Sequence, residues 1–258
     1  MKFVTMTPET RFGSLLRSAI FLFIGLTWTA YMSVNTLIFS YVTSEENNIH
    51  RLARIWARYL LLLTNVRVQV IGVDNILKGR PQVFMVNHHS VFDIFVLLAQ
   101  IPSQFRWVIK RELFKVPVFG KALRVAGYIE IDRQHREKAL RSLEVAASKI
   151  RDGKSVMTFP EGTRSQEGAI RPFKQGIFYL AMQSGVPIVP ISIIGTGDIM
   201  PKNSLQIIPQ KVIMIIDKPV DVSGYTVETR QELITKVRDT IIVNYEKGKA
   251  LLDKKRSV

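Results

Sequence analysis

Residues 87–93 read Asn87-His88-His89-Ser90-Val91-Phe92-Asp93, directly after the apolar run Val83-Phe84-Met85-Val86. A histidine titrates near neutrality, and a carboxylate beside it can fix its tautomer and hold the imidazolium formed on protonation. His88 and Asp93, separated by four residues where a buried strand should end, suit a general base that strips a hydroxyl of its proton. The same residues also read as a helix start. Ser90-x-x-Asp93 has the form of a capping box for a helix over 91–100, with Asp93 favourable in the first turn. The two readings are compatible, because a cap can hold Asp93 rigid under His88.

A second segment carries complementary chemistry. Ser155-Val156-Met157-Thr158-Phe159 is a short β-prone run, followed by Pro160-Glu161-Gly162-Thr163-Arg164-Ser165. Proline and glycine stop the strand, and glycine lets backbone approach a ligand closely. Arg164 offers a planar fork suited to a phosphate or carboxylate, and Thr163 and Ser165 offer hydroxyl donors. An ordinary polar turn with a solvated arginine would read the same way in isolation.

Together the two segments are far more specific. Asn87-His88-x4-Asp93 followed by Phe159–Ser165 resembles the glycerolipid acyltransferases, in particular the bacterial 1-acylglycerol-3-phosphate acyltransferases. Gly127-Tyr128-Ile129-Glu130-Ile131-Asp132-Arg133 resembles the family's second block, and Val186-Pro187-Ile188-Val189-Pro190-Ile191 its fourth. Glu130 departs from the pattern, standing where the family usually carries an apolar or aromatic residue. The resemblance implies acyl transfer from a thioester donor, acyl carrier protein or coenzyme A, to the sn-2 hydroxyl of 1-acyl-glycerol 3-phosphate. It also implies His88 as base and Asp93 as its orienting carboxylate. The phosphate would be held by Arg164 with Gly162, Thr163, Lys110 and Glu161, the last orienting Arg164 or touching substrate. It implies an N-terminal helical membrane element as well.

The chain has 258 residues, enough for one sizeable core, or one domain with an appendage. Its formal net charge of +15 calls for an anionic partner: nucleic acid, anionic lipid or a phosphorylated substrate. The absence of cysteine excludes a disulfide framework, a thiolate zinc site and a cysteine nucleophile. No His-Glu-x-x-His occurs, so no metal is expected, and the acyl donor is a co-substrate rather than a cofactor. Gly153-Lys154-Ser155 lacks the first glycine of a phosphate-binding loop, and no Gly-x-Ser-x-Gly elbow is present.

Ser18 to Ser44 is uncharged and rich in Phe, Leu, Ile and Val. As one helix at ~1.5 Å per residue it would span a ~30 Å hydrocarbon core. Trp28 and Tyr31 fall near its middle, although such residues prefer the interface. Basic residues flank it evenly: Lys2, Arg11 and Arg17 before, Arg51, Arg54 and Arg58 after. That balance fits a re-entrant hairpin turning near Ser33-Val34-Asn35, so a monotopic anchor is expected at the cytoplasmic face of the inner membrane. The segment 47–63 sets Ile49, Leu52, Ile55, Trp56, Tyr59 and Leu60 against its arginines, the pattern of a helix at a membrane surface.

The remaining pattern predicts an α/β fold, a mixed, largely parallel sheet flanked by helices. β-like runs recur at 66–71, 83–86, 106–109, 128–131, 156–159, 188–194 and 212–216, with helical periodicity over 135–151, 174–183 and 227–249. Residues 1–64 read as the membrane-associated helices and 65–258 as the α/β acyltransferase domain. Both motifs follow strand runs, so they can share the carboxyl edge of the sheet, where ligands bind in such folds. Arg106, Lys110, Arg111, Lys115, Lys121 and Arg124, interleaved with apolar residues, look like a surface that meets anionic headgroups. His50 and His135 read as surface residues. No nucleic-acid recognition motif appears. A related acyltransferase with another lysolipid or glycerol 3-phosphate as acceptor, and a thioesterase, share this chemistry.

Overall fold

The computed structural model describes residues 8–132, 135–166, 169–200 and 205–256; Lys2 and Arg133 lie outside them. Seven strands, β1 (Arg67–Ile71), β2 (Val83–Val86), β3 (Phe105–Lys110), β4 (Ile129–Ile131), β5 (Ser155–Thr158), β6 (Ile188–Ile194) and β7 (Lys211–Ile216), form one sheet in the order β1-β7-β6-β2-β5-β3-β4. Neighbours pair in parallel except β6 and β7, so the sheet is mixed and largely parallel, as the alternating pattern predicts. The helices are α1 (Pro8–Ser40), α2 (Glu46–Leu63), α3 (Phe92–Gln100), α4 (Arg111–Phe114), α5 (Phe119–Val125), α6 (Arg136–Arg151), α7 (Gln175–Ser184), α8 (Thr196–Ile199) and α9 (Arg230–Arg256).

β2 is buried along its whole length, which explains why it reads as an unbroken apolar run rather than an alternation. Its side chains still alternate between faces. Phe84 and Val86 join a core with α2, α3 and α5, while Val83 and Met85 join a second core with α6, α7 and α9. The sheet is therefore covered on both faces, and ligand access is left to its edge.

The N-terminus corrects the expected re-entrant turn. α1 runs unbroken through Ser33, Val34 and Asn35. Ser33 Oγ donates to the Thr29 carbonyl at 2.6 Å and Asn35 Nδ2 to the Tyr31 carbonyl at 2.8 Å, so these polar side chains are satisfied inside the helix instead of breaking it. The chain reverses later, at 41–45, and α2 returns antiparallel to α1. Trp28 sits mid-helix because its partner is protein: Nε1 donates to the Trp56 carbonyl at 3.2 Å, and Trp56 Nε1 donates to Thr29 Oγ1 at 3.0 Å. α2 does not merely lie on a surface. Ile49, Ala57, Leu60 and Leu61 are buried, and α2 packs against α3. Within α1, Leu15–Ser40 is long and apolar enough to cross a membrane. Its outer face exposes Phe23, Leu26 and Ile38.

A polar latch ties the start of α2 to the α/β unit. Glu46 accepts from Arg106 Nε at 2.8 Å and from Lys149 Nζ at 2.7 Å. Arg106 also donates to Asn47 Oδ1 and Gln104 Oε1, and it is completely buried. Burial raises the Glu46 carboxyl, but the hydrogen bonds from Lys149 and Arg106 outweigh it and hold the group below its ordinary value. Gly127, at φ +71°, permits this close approach, since a Cβ there would stand 2.1 Å from Glu46 Cδ. Arg106 is thus no part of a lipid-facing surface, a correction to the expected basic set.

Candidate active site

Four adjacent parallel strands, β6, β2, β5 and β3, end at one edge of the sheet. His88 follows β2, Phe159 to Ser165 follow β5, Lys110 closes β3 and Thr196 follows β6. Parallel pairing is therefore what assembles groups lying far apart in sequence.

Asp93 lies in the first turn of α3 and is fully buried. Its Oδ2 accepts from His88 Nδ1 at 2.8 Å, from the His89 backbone N–H at 2.8 Å and from the Ser90 backbone N–H at 2.9 Å. The expected side-chain cap is not formed at Val91, where α3 starts; the Asp93 carboxylate instead closes the turn before the helix, taking the His89 and Ser90 N–H groups while it holds the His88 ring. Donating Nδ1–H to Asp93 leaves the lone pair on His88 Nε2 for a proton. The ring stacks on Phe159 with centroids 3.8 Å apart and an interplanar angle of 10°, and Phe159 in turn leans on Trp107. The side chain of His88 is 15% exposed, enough to meet substrate but not bulk water on every side.

The residues around His88 are held from below. Asn87 exchanges both amide groups with the Ile193 backbone of β6, Nδ2 donating at 2.8 Å and Oδ1 accepting at 2.8 Å. Thr196 donates its hydroxyl to Asp93 Oδ1. The sequence assigns no role to Thr196, to Phe159 as a stacking partner or to the Asn87 amide; Asn87 and Phe159 stand inside the two motifs, whereas Thr196 lies in neither.

His88, Lys110, Gly162, Thr163 and Arg164 line one cavity of ≈ 430 Å³. The rest of its lining is mostly apolar and comes from α1, α2, α3 and α5, including Met32, Leu52, Trp56, Phe95, Leu98 and Leu123. Such a space can take a charged headgroup beside the imidazole and a hydrocarbon chain beneath the helices. Glu161, expected among the phosphate-holding residues, is placed differently. It is buried away from the cavity lining, its Oε1 accepts the His88 N–H at 2.8 Å, and its Oε2 accepts the Arg171 N–H at 2.8 Å. Both oxygens are committed to backbone, and an anion there would repel phosphate. Ser165, read as a ligand donor, gives its hydroxyl and N–H to the His88 carbonyl instead.

Other titratable groups sort as follows. Glu130, the departure in the second block, pairs with Arg111 at 3.4 Å and Arg124 at 3.8 Å, drawing those two cations toward β4. His135 is exposed beside Asp132, as expected. His50 is not a surface residue: it is buried edge-on to Phe105, with Nδ1 3.2 Å from the Tyr128 hydroxyl. Burial first, then Arg106 and Arg54, pulls its pKa down to about 3. Burial pushes the Tyr128 hydroxyl well above its ordinary value. Among the described residues no group of three or more His, Cys, Asp or Glu is arranged to hold a metal ion.

With this geometry in place, the likeness to known proteins is consistent throughout. Residues 67–194 match the Acyltransferase family. A chloroplastic 1-acyl-sn-glycerol-3-phosphate acyltransferase of Brassica napus is 35% identical over 66% of this chain and 50% of its own length. The 1-acyl-sn-glycerol-3-phosphate acyltransferase alpha of Mus musculus is 32% identical over 77% of this chain and 69% of its own. The crystal structure of the 1-acyl-sn-glycerophosphate (LPA) acyltransferase, PlsC, from Thermotoga maritima superposes with a TM-score of 0.81 at 28% identity, covering 93% of this chain and 98% of that one. The chain spans about half the length of the chloroplastic relatives it matches. It belongs to the Acyltransferase family.

Proposed function

We propose that the chain transfers a fatty acyl group from a thioester, acyl carrier protein or coenzyme A, to the sn-2 hydroxyl of 1-acyl-glycerol 3-phosphate, giving phosphatidic acid. The observation that carries this reading is that His88 and Arg164 line one cavity, with Asp93 on the ring nitrogen facing away from solvent. The relatives, named as 1-acyl-sn-glycerol-3-phosphate acyltransferases, support the same substrate class.

In this mechanism His88 Nε2 takes the proton of the hydroxyl as its oxygen attacks the thioester carbonyl carbon. The carbon–sulfur bond breaks, and the thiolate leaves with the proton that His88 returns. Asp93 holds the ring and offsets the transient imidazolium charge, an arrangement typically worth ~10²–10⁴-fold. Arg164 grips the phosphate with Lys110, Thr163 and the Gly162 backbone, so the hydroxyl is presented at a fixed angle. Glu161 acts through the backbone of His88 and the loop, not on the phosphate. No metal or other cofactor enters the reaction.

The apolar outer face of α1 supports anchorage in a membrane. We propose that it lies monotopically at the cytoplasmic side of the inner membrane, with exposed Lys115 and Lys121 meeting anionic headgroups. Residues 1–64 would serve the bilayer and line the apolar part of the cavity, and 65–258 would carry the reacting and phosphate-holding groups. Nucleic acid has no place in this scheme. The test is an assay of membrane fractions with labelled lysophosphatidate and each thioester. Phosphatidic acid formed only when lysophosphatidate is present supports the reading; free fatty acid alone identifies a thioesterase; product from a different lysolipid alone moves the acceptor.

A further inference from the structure

We propose that Thr196 is a positioning residue for acyl transfer, fixing the plane of the Asp93 carboxylate that orients His88. The inference rests on the reading of His88 as general base. Three donors from residues 88–90 converge on Asp93 Oδ2 alone. The terminal torsion of a carboxylate is soft and two-fold. Three bonds to one oxygen hold a pivot, and they leave the second oxygen free to swing. The Thr196 hydroxyl takes that second oxygen, Oδ1, and both residues are completely buried.

The anion needs this donor for a further reason. Among the described residues Asp93 has no Lys or Arg partner, only His88 when protonated. A buried charge without a cation depends on hydrogen bonds to every lone pair it can offer. Thr196 supplies the one that the helix start cannot.

The fold places Thr196 deliberately. It follows β6, the parallel neighbour of β2, through Gly195, whose φ of +92° turns the chain where a Cβ would meet the Lys211 carbonyl at 2.8 Å. The same short segment is tied to the turn above it, since Ser90 Oγ donates to the Met200 carbonyl at 3.3 Å. Thr196 does not line the cavity, so it acts on substrate only through Asp93 and His88.

The experiment compares the full chain with Thr196→Val, Thr196→Ser and Thr196→Ala, each also combined with His88→Ala, measuring kcat, both KM values and the thermal midpoint. Thr196→Val is expected to lower kcat by ~10–10²-fold, the cost of a misplaced catalytic group, with KM unchanged. Thr196→Ser restores the rate, because the hydroxyl is what matters. In the His88→Ala background the Thr196→Val change has no further effect on the residual rate, since the hydroxyl works through the imidazole. If Thr196→Val does not fold, Thr196→Ala takes its place in every comparison. Wild-type kcat in the variant lacking the hydroxyl, an equal loss in Thr196→Ser, or an undiminished penalty without His88 overturns the inference. A wild-type chain that moves no acyl group to lysophosphatidate would instead overturn the acyltransferase reading.

Discussion

The backbone N–H of His88 donates to Glu161 Oε1 at 2.8 Å, and the carbonyl of the same residue accepts from the Ser165 N–H at 2.8 Å. The two motifs are therefore one object. The loop after β5 grips the peptide units on both sides of the base while presenting Thr163 and Arg164 to the cavity. His88 and the Thr163–Arg164 segment therefore cannot shift independently.

That grip sets the expectation for Glu161→Gln. An amide has one acceptor oxygen, so one of the two N–H groups now faces an NH2 donor, and a buried donor left unpaired costs about 1–3 kcal/mol. Because the loop carries base and grip together, kcat falls by ~10²-fold and KM for lysophosphatidate rises as well. Steady-state kinetics beside a denaturant melt check this; a change confined to KM would mean that Glu161 touches substrate.

Arg164→Ala separates binding from chemistry. It removes an interaction present in ground and transition states alike, so the apparent KM for the phosphorylated acceptor rises while kcat changes little. The check is an acceptor titration at saturating thioester. An unaltered KM would contradict the phosphate grip.

Arg106 and Lys115 separate structure from surface. Arg106 is sealed against Glu46, Asn47 and Gln104, and removing one partner of a buried, hydrogen-bonded pair costs about 3 kcal/mol. Arg106→Met is expected to lower stability and leave binding to anionic vesicles intact. Lys115→Glu is expected to do the reverse, since one basic contact at a bilayer is worth ~1 kcal/mol. Vesicle co-sedimentation with thermal melts on both variants decides the matter.

The buried imidazole of His50 is expected to make the fold acid-labile. Its folded pKa, about 3, lies below the ordinary value of 6.5, so the unfolded chain binds the extra proton between those limits and stability rises with pH across that window. Acidification from neutrality to pH 5 is expected to cost about 2 kcal/mol through this group. Glu46, held below its ordinary value, adds to the loss at still lower pH. His50→Gln removes the window: its unfolding free energy, followed by denaturant titration from pH 7 to 5, loses that slope.

What could be read from the sequence was what local pattern dictates. All seven strands overlap short β-prone runs in the sequence, and His88 with Asp93 lies within one strand end and one helix start. Long-range satisfaction was not legible. Arg106 looked like its basic neighbours until Glu46, sixty residues earlier, closed on it. His50 looked like a residue of an interfacial helix until α2 docked on the α/β unit. Ser33 and Asn35 looked like a turn, yet each found a carbonyl one helical turn back. Thr196 carried no motif at all, being recruited by β6 lying beside β2.

The most direct measurement is turnover and lysophosphatidate binding for His88→Ala beside the wild type, in the same membrane preparation. The account predicts a loss of ~10²–10⁴-fold in kcat with binding of the lysolipid near normal. Wild-type turnover in the variant would contradict the assignment of His88 as the base, and with it the mechanism.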